Sequence, residues 1–119
     1  MNSSPEPYLH LIAEDVWSTV RTQETYVPDA FAADGFIHCT LGDERMLEVA
    51  NLFYQSDPRS MLLLTLDPAR VGSPVRFDDP EQVFPHIYGP LAVASVTGYR
   101  PIARDTDGRF TGYGELVPV

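Results

Sequence analysis

The sequence predicts a single α+β domain, and three features carry that reading. The segment "YLHLIA" (Tyr8 to Ala13) alternates between two faces, as a strand does. The apolar run "SMLLLTLD" (Ser60 to Asp67) is too short for a long helix and is bounded by Pro58 and Pro68, which fits a strand buried on both faces. Met46, Val49, Ala50 and Phe53 recur at i, i+3, i+4 and i+7, the period of one helix face. A chain of 119 residues has room for one modest core and no second domain. Its 44% hydrophobic content excludes the apolar-poor composition of disorder.

Each element can be justified in order. Residues 1–7 form a polar, proline-containing leader, expected to be flexible, and the domain is expected over 8–103. In the first strand Leu9, Leu11 and Ala13 share one face and Tyr8, His10 and Ile12 the other. "EDVWSTV" follows with acidic residues at the front of a short helix, where the macrodipole favours them, and Trp17 is placed to anchor that helix to the sheet. In "YVPDAFAADG", Pro28 suits a first helical turn and Gly35 a stop, so a short helix or turn delivers the chain into the strand "FIHCT". Thr40 followed by Asp43 resembles a capping signal for the helix that carries Met46 to Phe53. "SMLLLTLD" is placed centrally, "VRFDD" is a short strand, "DDPEQVFPHIYGP" is extended before each proline, and "LAVASVTGYR" supplies a late strand. Residues 104–119 read as a C-terminal hairpin or tail.

Charge narrows the function classes. Seventeen acidic residues stand against eight arginines and no lysine, for a net charge of −9, and such a field repels nucleic-acid phosphates. The single Cys39 excludes an intramolecular disulfide and a cysteine-rich zinc ribbon, and a reducing compartment suits it. "MNSSPEPY" lacks a basic region followed by a long apolar one, and no run approaches the roughly 20 apolar residues of a membrane span. The expectation is a cytoplasmic chain whose partner is a small molecule or nucleotide, with neither nucleic acid nor membrane.

The three histidines share a local grammar. Each has an aromatic residue two positions away: Tyr8 with His10, Phe36 with His38, Tyr88 with His86. Residues i and i+2 of an extended chain lie on one face, so each imidazole stands beside a ring, and three such pairs on one sheet would line an aromatic, hydrogen-bonding pocket. The bland reading of each is a core histidine with a ring nitrogen bonded to a backbone carbonyl. Under strict alternation Cys39 faces away from His38, which favours a buried apolar filler over a nucleophile. Three histidines could also hold zinc, although no HxH or HxxxH spacing supports it. Gly89 reads as a turn that lets backbone approach a ligand, or simply as a turn.

Taken together, "YLHLI…W", "DGFIHCT", "ANLFY", "LLLTLDPARVG", "VRFDD" and "FPHIYGPL" resemble a mostly bacterial family, the domain of unknown function nine-five-two, from about Tyr8 to Pro101. That family is grouped by distant similarity with the ADP-ribosyltransferase fold, a small split β-sheet that grips NAD in a cleft. The resemblance therefore implies an ADP-ribosyltransferase-like split sheet with two or three helices. It also implies a His-lined cleft that binds NAD or a related nucleotide and transfers or hydrolyses ADP-ribose. In that fold the first core strand offers a histidine to the nucleotide, the role His10 matches, and the second offers a residue near the nicotinamide ribose, as His38 does. A later strand commonly supplies a glutamate. This chain has Asp78 where relatives often carry Glu, and Thr40 where they often carry Ser, with His86 and Tyr88 close by in sequence.

Splitting the nicotinamide–ribose bond passes through an oxocarbenium-like cation. It asks for aromatic stacking, donors for the ribose hydroxyls and a nearby negative charge such as Asp78 or Glu81. The site expected on these grounds has His38, His86 and Asp78 as catalytic residues and His10, Thr40, Tyr88 and Arg76 as cofactor-binding residues, with no metal. Arg76 is the nearest candidate for the pyrophosphate, with Arg21 and Arg45 as others. The alternatives are a non-catalytic small-molecule binding module and a metal-dependent hydrolase.

Overall fold

A computed structural model describes residues 6–119. Of the expected leader, residues 1–5 lie outside the described residues, and Glu6 and Pro7 are exposed. The α+β expectation is met, with three α-helices and several antiparallel sheets among the described residues.

The main sheet starts with β1 (Tyr8–Ala13), and α1 (Glu14–Val20) follows it directly. Next come β2 (Thr25–Tyr26), α2 (Phe31–Asp34), β3 (Ile37–His38), α3 (Asp43–Phe53) and β4 (Met61–Leu66). β4 is central as expected: it runs antiparallel to β1, with Tyr8 opposite Leu66 and Ala13 opposite Met61, and its other edge pairs with β8 (Val96–Arg104). Beyond β8 the chain returns along its outer edge, first as β9 (Phe110–Tyr113), then as β10 (Val117–Pro118). The C-terminal segment thus lays two short strands against β8 in succession, and its Phe110 is a core residue with 1% of its surface exposed.

A second, smaller sheet has the order β3-β6-β5, with β5 spanning Val75–Phe77 and β6 spanning Pro85–Ile87. It joins the main sheet at one point, where Leu9 and Thr40 exchange two backbone hydrogen bonds of 2.9 Å. The junction decides where the site lies, because it hangs the small sheet from β1 and lets it diverge. A short pair, β2 with β7 (Leu91–Ala92), closes one end.

Burial follows the strand period. Leu62, Leu64 and Leu66 of β4 face a cluster with Ile12, Trp17, Tyr26, Ile37, Cys39 and Ile87. Leu63 and Met61 face the other way, against Leu9, Leu11 and the α3 residues Met46 and Ala50. Trp17 thus anchors α1 as the sequence implies. Burying each such aliphatic side chain contributes about 1.5–3 kcal/mol relative to leaving it in water.

Two local expectations are corrected. Thr40 does not cap α3: it is 3% exposed and tied into the Leu9 junction, and the helix starts after Gly42, whose φ of 91° suits a residue without a Cβ. Phe53, expected on the core face, is 73% exposed. The helix ends there, and Tyr54 packs against the core cluster instead.

Candidate functional site

The small sheet has a buried face and an open one. Ile37, Cys39 and Ile87 pack into the core, so period two turns Phe36, His38, His86 and Tyr88 to the opposite side. Antiparallel register does the rest. His38 lies directly across from His86, and His86 directly across from Arg76, so the three form one row over three strands. Phe36 stacks on His86 with ring centroids 3.9 Å apart and planes 12° from parallel, and meets His38 edge-on at 4.6 Å. The two imidazole centroids are 5.5 Å apart.

Each histidine of the row is bound to a carboxylate. Nε2 of His38 donates to Asp34 Oδ2 at 2.9 Å, a pairing set up by α2, whose last residue lies four positions before His38. Gly35 makes that delivery possible: its φ of 81° ends the helix in the left-handed conformation. Nδ1 of His86 donates to Asp78 Oδ2 at 3.0 Å, and the Tyr88 hydroxyl donates to the same oxygen. Arg76 holds the other oxygen at 3.1 Å and places its guanidinium 5.1 Å from the Tyr88 ring centroid. The hydrogen bonds from Tyr88 and His86 hold the Asp78 carboxyl below the usual carboxylate range, and the same bond raises the Tyr88 hydroxyl.

Between this wall and α3 lies an open cleft of about 1360 Å³. His38 and His86 line it together with Thr40 and Phe84, and α3 contributes Arg45, Glu48, Val49, Leu52 and Phe53. Its charge is one-sided: Glu6, Asp34, Asp43, Glu44, Glu48 and Glu81 line it against Arg45 as the one lining arginine. Asp43 is partly neutralised by Arg100 at 2.8 Å, whose hydrogen bond lowers its carboxyl.

His10 is not part of this cleft. It sits on the face of β1 that it shares with Ile12, 5% exposed, with Nδ1 donating to the His38 carbonyl at 2.8 Å and Nε2 accepting from the Tyr26 hydroxyl at 3.2 Å. Burial pushes its pKa down and keeps it neutral. The expected three-histidine wall is thus a two-histidine wall, because alternation puts His10 among the residues that pack beneath β3. Its nearest ring is Tyr26, at 5.6 Å, while Tyr8 meets Phe77 at 6.2 Å.

The other expected site residues divide as follows. Asp78, Tyr88 and Arg76 form one network with His86, but Asp78 has both oxygens occupied. Thr40 lines the cleft from a buried position. Arg45 reaches the cleft while donating to the Leu41 carbonyl at 3.0 Å, whereas Arg21 lies over Trp17, 5.7 Å from its ring centroid. Cys39 is buried at 3% exposure, its thiol pushed up by that burial, which agrees with a filler. Gly89 approaches Ser73: a Cβ there would lie 2.6 Å from Ser73 Oγ. Sequence reasoning missed Asp34 as a partner of His38. The signal was present, since an acidic residue four positions before a histidine and one before a helix-stopping glycine can fold back onto it. Among the described residues no three His, Cys, Asp or Glu side chains gather in a metal-holding group. No helix among them is long and apolar enough to cross a membrane.

The comparisons with known proteins agree with this architecture. A family model described as "Protein of unknown function (DUF952)" matches residues 11–99. The crystal structure of protein CC0527 from Caulobacter crescentus is similar at 25% identity and a TM-score of 0.74, over 88% of this chain and 93% of that one. The solution structure of CC0527 gives a TM-score of 0.68 at 25% identity, over 86% and 89% of the two chains. Among curated proteins none matches. The chain belongs to the DUF952 family.

Proposed function

We propose that this DUF952 protein binds a small ribosyl ligand in the cleft between α3 and the histidine wall, and that the wall acts on the ligand's glycosidic bond. NAD or a related nucleotide, with transfer or hydrolysis of ADP-ribose, is the class to test first. The observation that carries this reading is the His38–His86 row, each ring held by a carboxylate and both lining a cleft rich in further carboxylates. A bond that breaks through an oxocarbenium-like cation is favoured by fixed negative charge, and a polar ring can lie against Phe84 and the imidazoles. Glu81 lines the cleft and has no hydrogen-bond partner among the described residues, so it is better placed than the fully engaged Asp78 to face a developing cation. Arg45 is the group available for a phosphate. The hinge of the small sheet on the Leu9–Thr40 junction supports an ADP-ribosyltransferase-like split, with His10 bracing that junction in place of a ribose contact.

The engagement of Asp78 by three partners favours a second reading, a non-catalytic binding module in which that network only shapes the wall. Incubation with NAD separates the two. Released nicotinamide, measured by chromatography, supports turnover; saturable binding of intact NAD without release supports the module; and absence of both removes NAD as the ligand.

A further inference from the structure

His38 and His86 present different nitrogens to their carboxylates. His38 uses Nε2 toward Asp34, and His86 uses Nδ1 toward Asp78. A carboxylate accepts, so the neutral rings carry their protons on those atoms and are opposite tautomers. The lone pairs are then on Nδ1 of His38 and Nε2 of His86, and neither nitrogen has a partner among the described residues. The side chains also differ in access to water: His38 is 52% exposed and His86 16%.

Two free imidazole nitrogens on one wall are more than nicotinamide release requires. Nicotinamide departs from a cationic ring as a neutral molecule and takes no proton, so one base for the attacking hydroxyl is enough. A neutral N-glycoside is different, because its nitrogen leaves as an anion unless it is protonated. Polyphosphates are also disfavoured by the cleft's carboxylates.

We propose that His38 and His86 are an acid–base pair for hydrolysis of a neutral N-glycoside, a nucleoside-like substrate, and that Asp34 is the positioning residue that fixes the His38 tautomer. This rests on the reading that the cleft acts on a ribosyl ligand, and it narrows the substrate class. His38, nearer to solvent, takes a proton from water as the oxygen–C1′ bond forms. His86, having first taken a proton from solvent on its free Nε2, gives that proton to the leaving nitrogen as the C1′–nitrogen bond breaks. The products are the free base and ribose, and proton exchange with solvent returns the pair to its starting state with no other reactant.

The test uses the full chain with inosine, uridine and NAD in parallel, and follows release of base or nicotinamide. The expected result is base release from a nucleoside faster than nicotinamide release from NAD. His38→Gln and His86→Gln should each lower kcat on the order of 10²-fold with a smaller change in KM. Nicotinamide release without nucleoside cleavage overturns this inference and leaves the function proposed above standing; binding of either ligand with no cleavage overturns it in favour of the binding module. A readout independent of turnover is side-chain ¹⁵N NMR. The protonated nitrogen should be Nε2 in His38 and Nδ1 in His86, and Asp34→Ala should convert His38 to a tautomer mixture while His86 keeps its state. The same tautomer at both histidines, or no change at His38 in Asp34→Ala, overturns the assignment.

Discussion

His38 and His86 stand directly across the β3–β6 register with ring centroids 5.5 Å apart, and each is tied to its own aspartate, His38 to Asp34 and His86 to Asp78. The relationship is a consequence of strand pairing: once Ile37 and Ile87 are buried, their neighbours must share the open face. Five expectations follow from this wall and the core that supports it.

The Asp78 network should survive mild acid. A carboxyl whose folded pKa lies below its ordinary 3.8 contributes stability that is present above that value and lost as pH falls through the lower folded value. The Asp78 side-chain carboxyl carbon resonance should therefore titrate only below the ordinary carboxylate pKa. An Asp78 titration centred at or above that ordinary value would contradict it.

His10 sets a different pH dependence. Its folded pKa lies below the reference 6.5, so at lower pH the unfolded chain binds a proton that the folded chain excludes. Its stabilising effect is complete above 6.5 and falls as pH drops below it, by up to about 1.4 kcal/mol per pH unit. Denaturant titrations between pH 5 and 7.5 should show this slope, and His10→Gln should flatten it. An unchanged slope in the variant would show that another group titrates.

Cys39 should behave as core. Cys39→Ala is expected to lower stability by about 1–2 kcal/mol while leaving ligand affinity unchanged. Thiol reagents should modify the folded chain slowly, since the thiol is buried and its pKa is raised. Loss of binding in a folded Cys39→Ala protein would restore a direct role for the sulfur.

Much of this was legible in the sequence, and what was not has physical reasons. β1, α1 and β4 were readable because alternation and prolines bound them tightly, and the two faces of β1 fell as period two requires. The same period placed His38 and His86 on their wall, since it constrains residues within a strand. It could not say that the fold would bury both faces of β1, and that burial put His10 inside. Phe53 kept the helical period yet lies outside, because the helix stops there and the cleft opens beside it. Thr40 had the chemistry of a cap but was claimed by a long-range strand contact with Leu9, which local spacing does not encode.

Asn51 should prove a structural residue. Its side-chain amide donates to the Phe110 carbonyl at 2.9 Å and accepts from the Phe110 N–H at 2.8 Å, pairing α3 with β9 as a neighbouring strand would. Asn51→Leu leaves both groups of a buried residue without partners, and a loss of about 1–3 kcal/mol is expected in equilibrium unfolding. A change below about 0.5 kcal/mol would mean that water replaces the amide.

The most direct test of the histidine wall as the ligand site is a calorimetric titration of NAD and of adenosine into the wild-type protein and His86→Ala. At least one ligand should bind the wild type, and the variant should bind it several-fold more weakly, corresponding to a loss of about 0.5–1.5 kcal/mol for one hydrogen bond to an uncharged group. Equal affinity in a folded His86→Ala protein, or no binding of either ligand at millimolar concentration, would contradict it.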